Sequence, residues 1–261
     1  MALSGRAKLA VQVRAIGGLD WPHHIGRAAT PVHPKYLNPA TEPVVEMTSG
    51  HGVFETYNPR DAVPVPFKSP LVPGTSVQDV PASGKRVGMV GSSDSHSGFS
   101  GYPNGMFAVI APELTKAAIL DAIRARRTYA IRGGEPVFVD LRAAGHVIGE
   151  EFTSGRAPRL VLSVQASAPV TRIDLVRNNR FVLSRKFEDG ALERRLEYQD
   201  TALPPAFYYA RVFYGKGYAW TSPIWVDPEK RGGYPAMAGA AAFLVMLGWL
   251  CAKPRPGRRN G

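Results

Sequence analysis

The sequence predicts an α/β segment, an all-β sandwich after it and a C-terminal membrane helix, and three observations predict this arrangement. Short apolar runs in the first third each end in polar residues and are interspersed with helix-like stretches. After Gly133-Gly134 the periodicity changes to a two-residue alternation and the helix-like stretches stop. Between Gly232 and Ala252 no residue is charged. These shifts divide the chain into residues 1–132, 133–228 and 229–261.

Residues 5–16 suit a short helix with Leu9, Val13 and Ile16 on one face, stopped by Gly17-Gly18. Leu19-Asp-Trp-Pro22 then reads as a strand that delivers His23 and His24 at its end. A second strand, Pro43–Thr48, runs into Ser49-Gly50-His51-Gly52, and its β-branched and apolar residues suit a buried parallel strand. The proline-rich stretch from Tyr57 to Gly84 reads as a long surface loop with room for one short helix. A third strand, Arg86–Gly91, leads into Ser92-Ser-Asp-Ser-His96. Phe107–Ile110 follows as a short strand, and Thr115 caps a helix to about Arg127 whose Ile119, Leu120 and Ile123 form a core face. Strands that end in polar residues are how α/β barrels and open α/β sheets build sites.

Beyond Gly134, seven short strands separated by Gly, Pro, Asn and Asp turns suggest a β-sandwich of immunoglobulin-like type. Their arginines alternate with apolar residues, which describes a solvated strand face. The 21 residues from Gly232 to Ala252, as a helix, rise about 31 Å, enough for a bilayer's hydrocarbon core. Tyr234 and Trp249 stand near the two ends, and four basic residues follow.

The 261 residues carry 32 Lys and Arg against 21 Asp and Glu, a formal +11. Residues 230–261 contribute six of those cations and no acid, which leaves +5 for the other 229 residues. No nucleic-acid partner is expected, because the excess lies beside the apolar segment instead of being interleaved with aromatics. The expected membrane partner is a lipid bilayer entered by that one helix, with the body extracytoplasmic if a signal peptide is present in the full protein. A single cysteine, Cys251, excludes an internal disulfide and a thiolate-clustered zinc site, so a metal would rest on His, Asp and Glu.

Asp94-Ser-His96 places two ligand types two residues apart on a strand-end turn, where both can face one cation. The His23-His24 pair and His51 stand at the ends of two other expected strands. Such nitrogen and carboxylate donors suit zinc, manganese or iron, and a bound divalent ion would lower the pKa of its water and supply a hydroxide nucleophile. Glu46 alternates with Val45 and Met47, so it faces either away from the apolar side or into a polar barrel centre. Glu55, four residues after His51, is placed to orient that imidazole or to bind substrate. His33 and His146 read as loop and turn residues, and Ser92, Ser93 and Ser95 as turn formers.

Pro22-His-His-Ile-Gly26, Val45–Glu55, Gly91–Ser97, Ala108–Thr115 with Arg124–Tyr129, and Ala219–Val226 together resemble the C-terminal half of CehA/McbA-type metallohydrolases of the polymerase and histidinol phosphatase (PHP) superfamily. The resemblance implies part of a distorted (β/α)7 barrel followed by the sandwich. It also implies a centre of two or three metal ions and hydrolysis of ester, carbamate or phosphoester bonds in a small-molecule substrate. It assigns His23, His24, Asp94 and His96 to the metal, and His51 and Glu55 to a His-Gly-x-x-Glu element with a catalytic role. The superfamily opens with a His-x-His strand, and no His-x-His occurs in this sequence, so the resemblance covers roughly half a barrel. The chain alone is therefore expected to have little hydrolase activity. The alternative is a membrane-anchored binding protein without catalysis, in which the barrel remnant is structural.

Overall fold

The run Ala206–Tyr214 carries bulky side chains at successive positions, the pattern of a strand covered on both faces. In the computed structural model, which describes residues 5–65, 71–96 and 104–229, that is its position. The first elements are helix α1 (Gly5–Ala15), strands β1 (Val44–Ser49) and β2 (Gly52–Val53), the one-turn helix α2 (Asp79–Ala82) and strand β3 (Gly88–Gly91). Then come β4 (Met106–Val109), helix α3 (Lys116–Arg124) and β5 (Thr128–Arg132). The remaining strands are β6 (Val137–Ala143), β7 (His146–Val147), β8 (Glu151–Ser154), β9 (Arg159–Ala166), β10 (Val170–Arg177), β11 (Arg180–Lys186), β12 (Glu193–Gln199), β13 (Ala206–Tyr214), β14 (Gly217–Thr221) and β15 (Ile224–Pro228).

These strands form three sheets. The largest has eight strands in the order β11-β10-β13-β14-β5-β4, with β15 pairing β13 and β8 pairing β15. A four-stranded sheet, β12-β9-β6-β7, faces one side of it. Ala206, Tyr208, Ala210, Val212 and Tyr214 of β13 share that core with Val139, Leu141, Leu160, Leu162 and Val164. Phe207 and Tyr209 point the other way, with Ala130, Trp220 and Trp225, into a second core that takes Val45, Met47, Phe54 and Met89. This second layer holds the small sheet β2-β1-β3, in which β1 and β3 are parallel. The period of two along β13 thus sorts its side chains between two cores. Each fully buried apolar side chain stabilises by about 1.5–3 kcal/mol.

The expected partial (β/α)7 barrel is corrected by this arrangement. Strand accounts for 40% and helix for 11% of the structure, and the described residues contain three helices and no barrel. A parallel barrel needs a crossover helix between successive strands. Among the described residues, the chain from β2 to β3 carries only the four-residue helix α2, too short to serve as such a crossover. Strands β4 and β5 are antiparallel, and β5 pairs β14, so the eight-stranded sheet runs across residue 132. The apolar runs at β1 and β3 are covered by the wide sheet on one face, while Val44 and Val90 on the other pack with Ile119 and Ile123 of α3, and no ring of helices is involved. Leu19–Pro22 is irregular backbone, Leu9 of α1 is exposed, and Ile16, also exposed, lies just past the helix end.

The expected membrane helix at 232–252 falls outside the described residues. Among the described residues no helix is long and apolar enough to cross a membrane. The C-terminal stretch is thinned by Ala and Gly, and the membrane location expected from it is not supported.

Candidate metal centre

The C-terminal end of β1 and the turn after β3 lie side by side because the two strands are parallel, with Thr48 opposite Gly91. Gly91 is required there: a Cβ on it would lie 2.4 Å from the carbonyl oxygen of Met106 at the start of β4. Arg132 of β5 ties the same corner together. It donates to Ser49 O at 2.8 Å, to Asn104 O at 2.7 Å and to Thr48 Oγ1 at 3.0 Å.

Onto this corner come four of the six residues singled out in the sequence. Asp94 Oδ2 lies 3.2 Å from His24 Nε2 and 3.0 Å from His51 Nε2, and Asp94 Oδ1 lies 3.2 Å from His23 Nε2. Three imidazoles therefore present the same nitrogen to one carboxylate. Behind them, Glu46 on β1 holds the opposite nitrogens: Oε1 is 2.9 Å from His23 Nδ1, and Oε2 is 2.9 Å from His24 Nδ1. Glu46 also accepts the backbone N–H of His24 at 2.8 Å and a hydrogen bond from Ser92. The His23 and His24 rings lie with centroids 3.3 Å apart and planes tilted by 32°, and the His51 ring meets His24 edge-on at 4.5 Å. His24 and Asp94 both adopt left-handed backbone, with φ of 54° and 52°. Non-glycine residues in that region cost free energy and gather at functional sites, where surrounding contacts hold them.

The charges follow the geometry. Burial pushes the Glu46 carboxyl up, but hydrogen bonds from His23, His24 and Ser92 outweigh it and bring it down to about 2. The bond to Glu46 raises His23 above its ordinary value, with Asp94 adding to the effect. Burial opposes the charge on Asp94 as well, yet the His23 bond and the nearby His24 and His51 hold it below the usual carboxylate value. Glu46 thus stabilises the fold above its unfolded value of 4.5, and that contribution disappears as pH falls toward 2. His23 contributes below 6.5 and loses its contribution as pH rises through its raised value. For the metal-free chain we expect the site to stabilise most between pH 4.5 and 6.5. Denaturant unfolding across pH checks this: Glu46→Gln should flatten the acid limb, worth about 3 kcal/mol, and an unchanged limb would refute the assignment.

The other two residues are placed elsewhere. His96 is exposed, and its Nδ1 sits 3.1 Å from the backbone carbonyl of Asp94, outside the cluster. Glu55 is 1% exposed, and its carboxylate is taken up by Tyr209, Arg211 and Trp220 of the wide sheet, each at 2.9 Å. His33 accepts from Lys35 N, and His146 pairs with Glu150. Glu46 is the residue whose part the sequence left open. Its neighbours Val45 and Met47 lie in the apolar core, so period two aims its carboxylate at the histidines.

The donor set fits a divalent cation. His23, His24 and Glu46, and again His24, His51 and Asp94, offer ligand atoms within 4.8 Å of one another. Two ligands on one tetrahedral zinc lie about 3.4 Å apart, given bonds of about 2.0–2.2 Å. Separations of 3.0–3.2 Å around Asp94 need to widen only by tenths of an ångström. Glu46 behind two imidazoles is the carboxylate–histidine arrangement that fixes the tautomer of a metal ligand.

Fold and site together define a β-rich protein with a histidine and carboxylate cluster at the end of the small mixed sheet β2-β1-β3. No protein-family model matches the chain, and no solved structure matches it. It is similar to an uncharacterized protein of Chlamydia trachomatis, 28% identical over 146 residues, covering 48% of this chain and 23% of that protein. Chlamydia muridarum has a similar relative, 28% identical over 148 residues with the same coverage. A relative in Chlamydia pneumoniae is 27% identical over 148 residues. The match thus spans about a quarter of the length of these relatives.

Proposed function

We propose that residues 1–229 carry the metal-binding part of a metal-dependent hydrolase that acts on ester, carbamate or phosphoester bonds, as the PHP resemblance implies. The single observation that carries this reading is the convergence of three Nε2 atoms on Asp94, with Glu46 bonded to the far side of two of the rings. His24, His51 and Asp94 would hold a zinc, manganese or iron ion, with His23 as the fourth donor. Such an ion makes bound water acidic near neutral pH, which is the chemistry hydrolysis requires. Glu46 fixes the ring orientations and keeps Nδ1 of His23 and His24 occupied, so that Nε2 faces the ligand point. Half-exposed His23 leaves one side of the cluster open to a substrate.

The enclosure of Glu55 favours the second reading, a binding protein in which the cluster serves structure, because that carboxylate has no room left for a substrate. A titration of the full chain with zinc or manganese after chelator treatment tests the proposal. Binding with release of protons is expected, alongside near-background hydrolysis of simple esters and phosphodiesters, since the further superfamily ligands do not occur in this sequence. Absence of binding for either metal would exclude the hydrolase reading.

A further inference from the structure

The residue expected to work beside His51 in catalysis instead ties the site to the wide sheet. Glu55 lies four residues beyond His51, past the β1–β2 turn. Its Oε1 accepts from Tyr209 Oη and its Oε2 from Arg211 Nη1 and Trp220 Nε1, all at 2.9 Å. Arg211, 2% exposed, continues the chain of contacts: Nε and Nη2 each lie 2.9 Å from Asp174 Oδ2 on β10, and Nη1 donates to Asp61 O at 2.7 Å. Asp174 is 0% exposed and also accepts from Arg172 and Ser184, both at 2.7 Å. Between Glu55 and the cluster stands Phe54, whose ring centroid is 5.5 Å from that of His24 and whose N–H donates to Met47 O at 2.8 Å. The segment 52–56 is buried throughout.

We infer that Glu55, Arg211 and Asp174 form a positioning clamp: the wide sheet grips the chain just after His51 and thereby sets His51 and Phe54 against His24. The inference deepens the metal-centre reading and rests on it for its functional meaning. A guanidinium suits this role because its planar fork engages Glu55 on one side and Asp174 on the other, a geometry a lysine ammonium does not reproduce. Its plane is further fixed over the rings of Phe181 and Phe213, at 4.7 and 5.3 Å from their centroids. Glu55, Arg211 and Asp174 are positioning residues and touch none of the reacting groups.

The test uses the full chain with Glu55→Gln, the milder Tyr209→Phe, which removes one of the three bonds, and Leu162→Ala as a control. Leu162 is buried in the core shared with the four-stranded sheet, away from the clamp, so its truncation lowers stability without touching Glu55. Two readouts are taken: zinc affinity, and the imidazole NMR signals of His24 and His51 at fixed pH without metal. Glu55→Gln is expected to weaken zinc about tenfold or more and to shift both imidazole signals, with Tyr209→Phe intermediate. Leu162→Ala should leave both readouts alone. Unmoved imidazole signals in both clamp variants, with only the melting temperature lowered, would overturn the inference. If the wild type binds no zinc, the metal reading fails, and the metal-free imidazole signals still decide the clamp.

Discussion

Asp94→Asn is expected to abolish zinc and manganese binding by the full chain while leaving its backbone in place. The substitution is unusually clean at this position. Asp94 has a φ of 52°, and asparagine is the side chain other than glycine that best tolerates left-handed backbone. The variant therefore keeps the turn and the shape of the side chain and removes the charge on which His23, His24 and His51 converge. Losing a charged ligand at the focus should exceed the 10–100-fold effect of disturbing an outer partner, so we expect affinity to fall by ~100-fold or more. Titration calorimetry against both metals measures it. Wild-type affinity in Asp94→Asn would mean that any bound ion sits elsewhere. His96→Ala, by contrast, should change affinity little, because the His96 ring turns back on its own backbone.

Arg211→Ala should cost about 3–5 kcal/mol of stability, the range for removing one partner of a buried ion pair. Burial alone would disfavour its charge, and Glu55 with Asp174 more than compensates, so that the guanidinium is held above its ordinary pKa. Truncation leaves two carboxylates, 1% and 0% exposed, without their shared cation. The penalty comes from the stranded charges and not from lost contact area. Combining Glu55→Gln with Arg211→Met should therefore recover part of the loss, because no net charge then stays buried at Glu55. Urea unfolding of the single and double variants tests this as a cycle, and strictly additive losses would contradict it.

Much of the local structure was legible. The Ser, Gly and Asp punctuation after β1 and β3 marks strand ends, and Thr115 accepts the N–H of Ala118 as an N-cap should. The alternation of Arg159–Ala166 reads directly as a strand with one buried face. His51 and Asp94 come together because the parallel neighbours β1 and β3 end side by side, whereas His23 and His24 arrive on irregular backbone that Glu46 of β1 holds in place. What the sequence concealed is long-range. The partners of Glu55 lie 154, 156 and 165 residues away, and no local pattern announces them. The barrel reading failed for a related reason. An apolar run says that a strand is covered, not whether helices or another sheet cover it.

The two-sided burial of β13 also sets an order of events. A ribosome releases His23, His24, His51 and Asp94 first, yet the surface they rest against is completed only when Tyr209, Trp220 and Trp225 have emerged. Until then the nascent N-terminal third has apolar side chains such as Val45, Met47 and Phe54 and no wall to place them on. Pairings of this sequence separation close slowly. The earliest residues of the cluster are thus among the last to find their geometry, and the chain has to pass through an interval in which its ligands exist without a site.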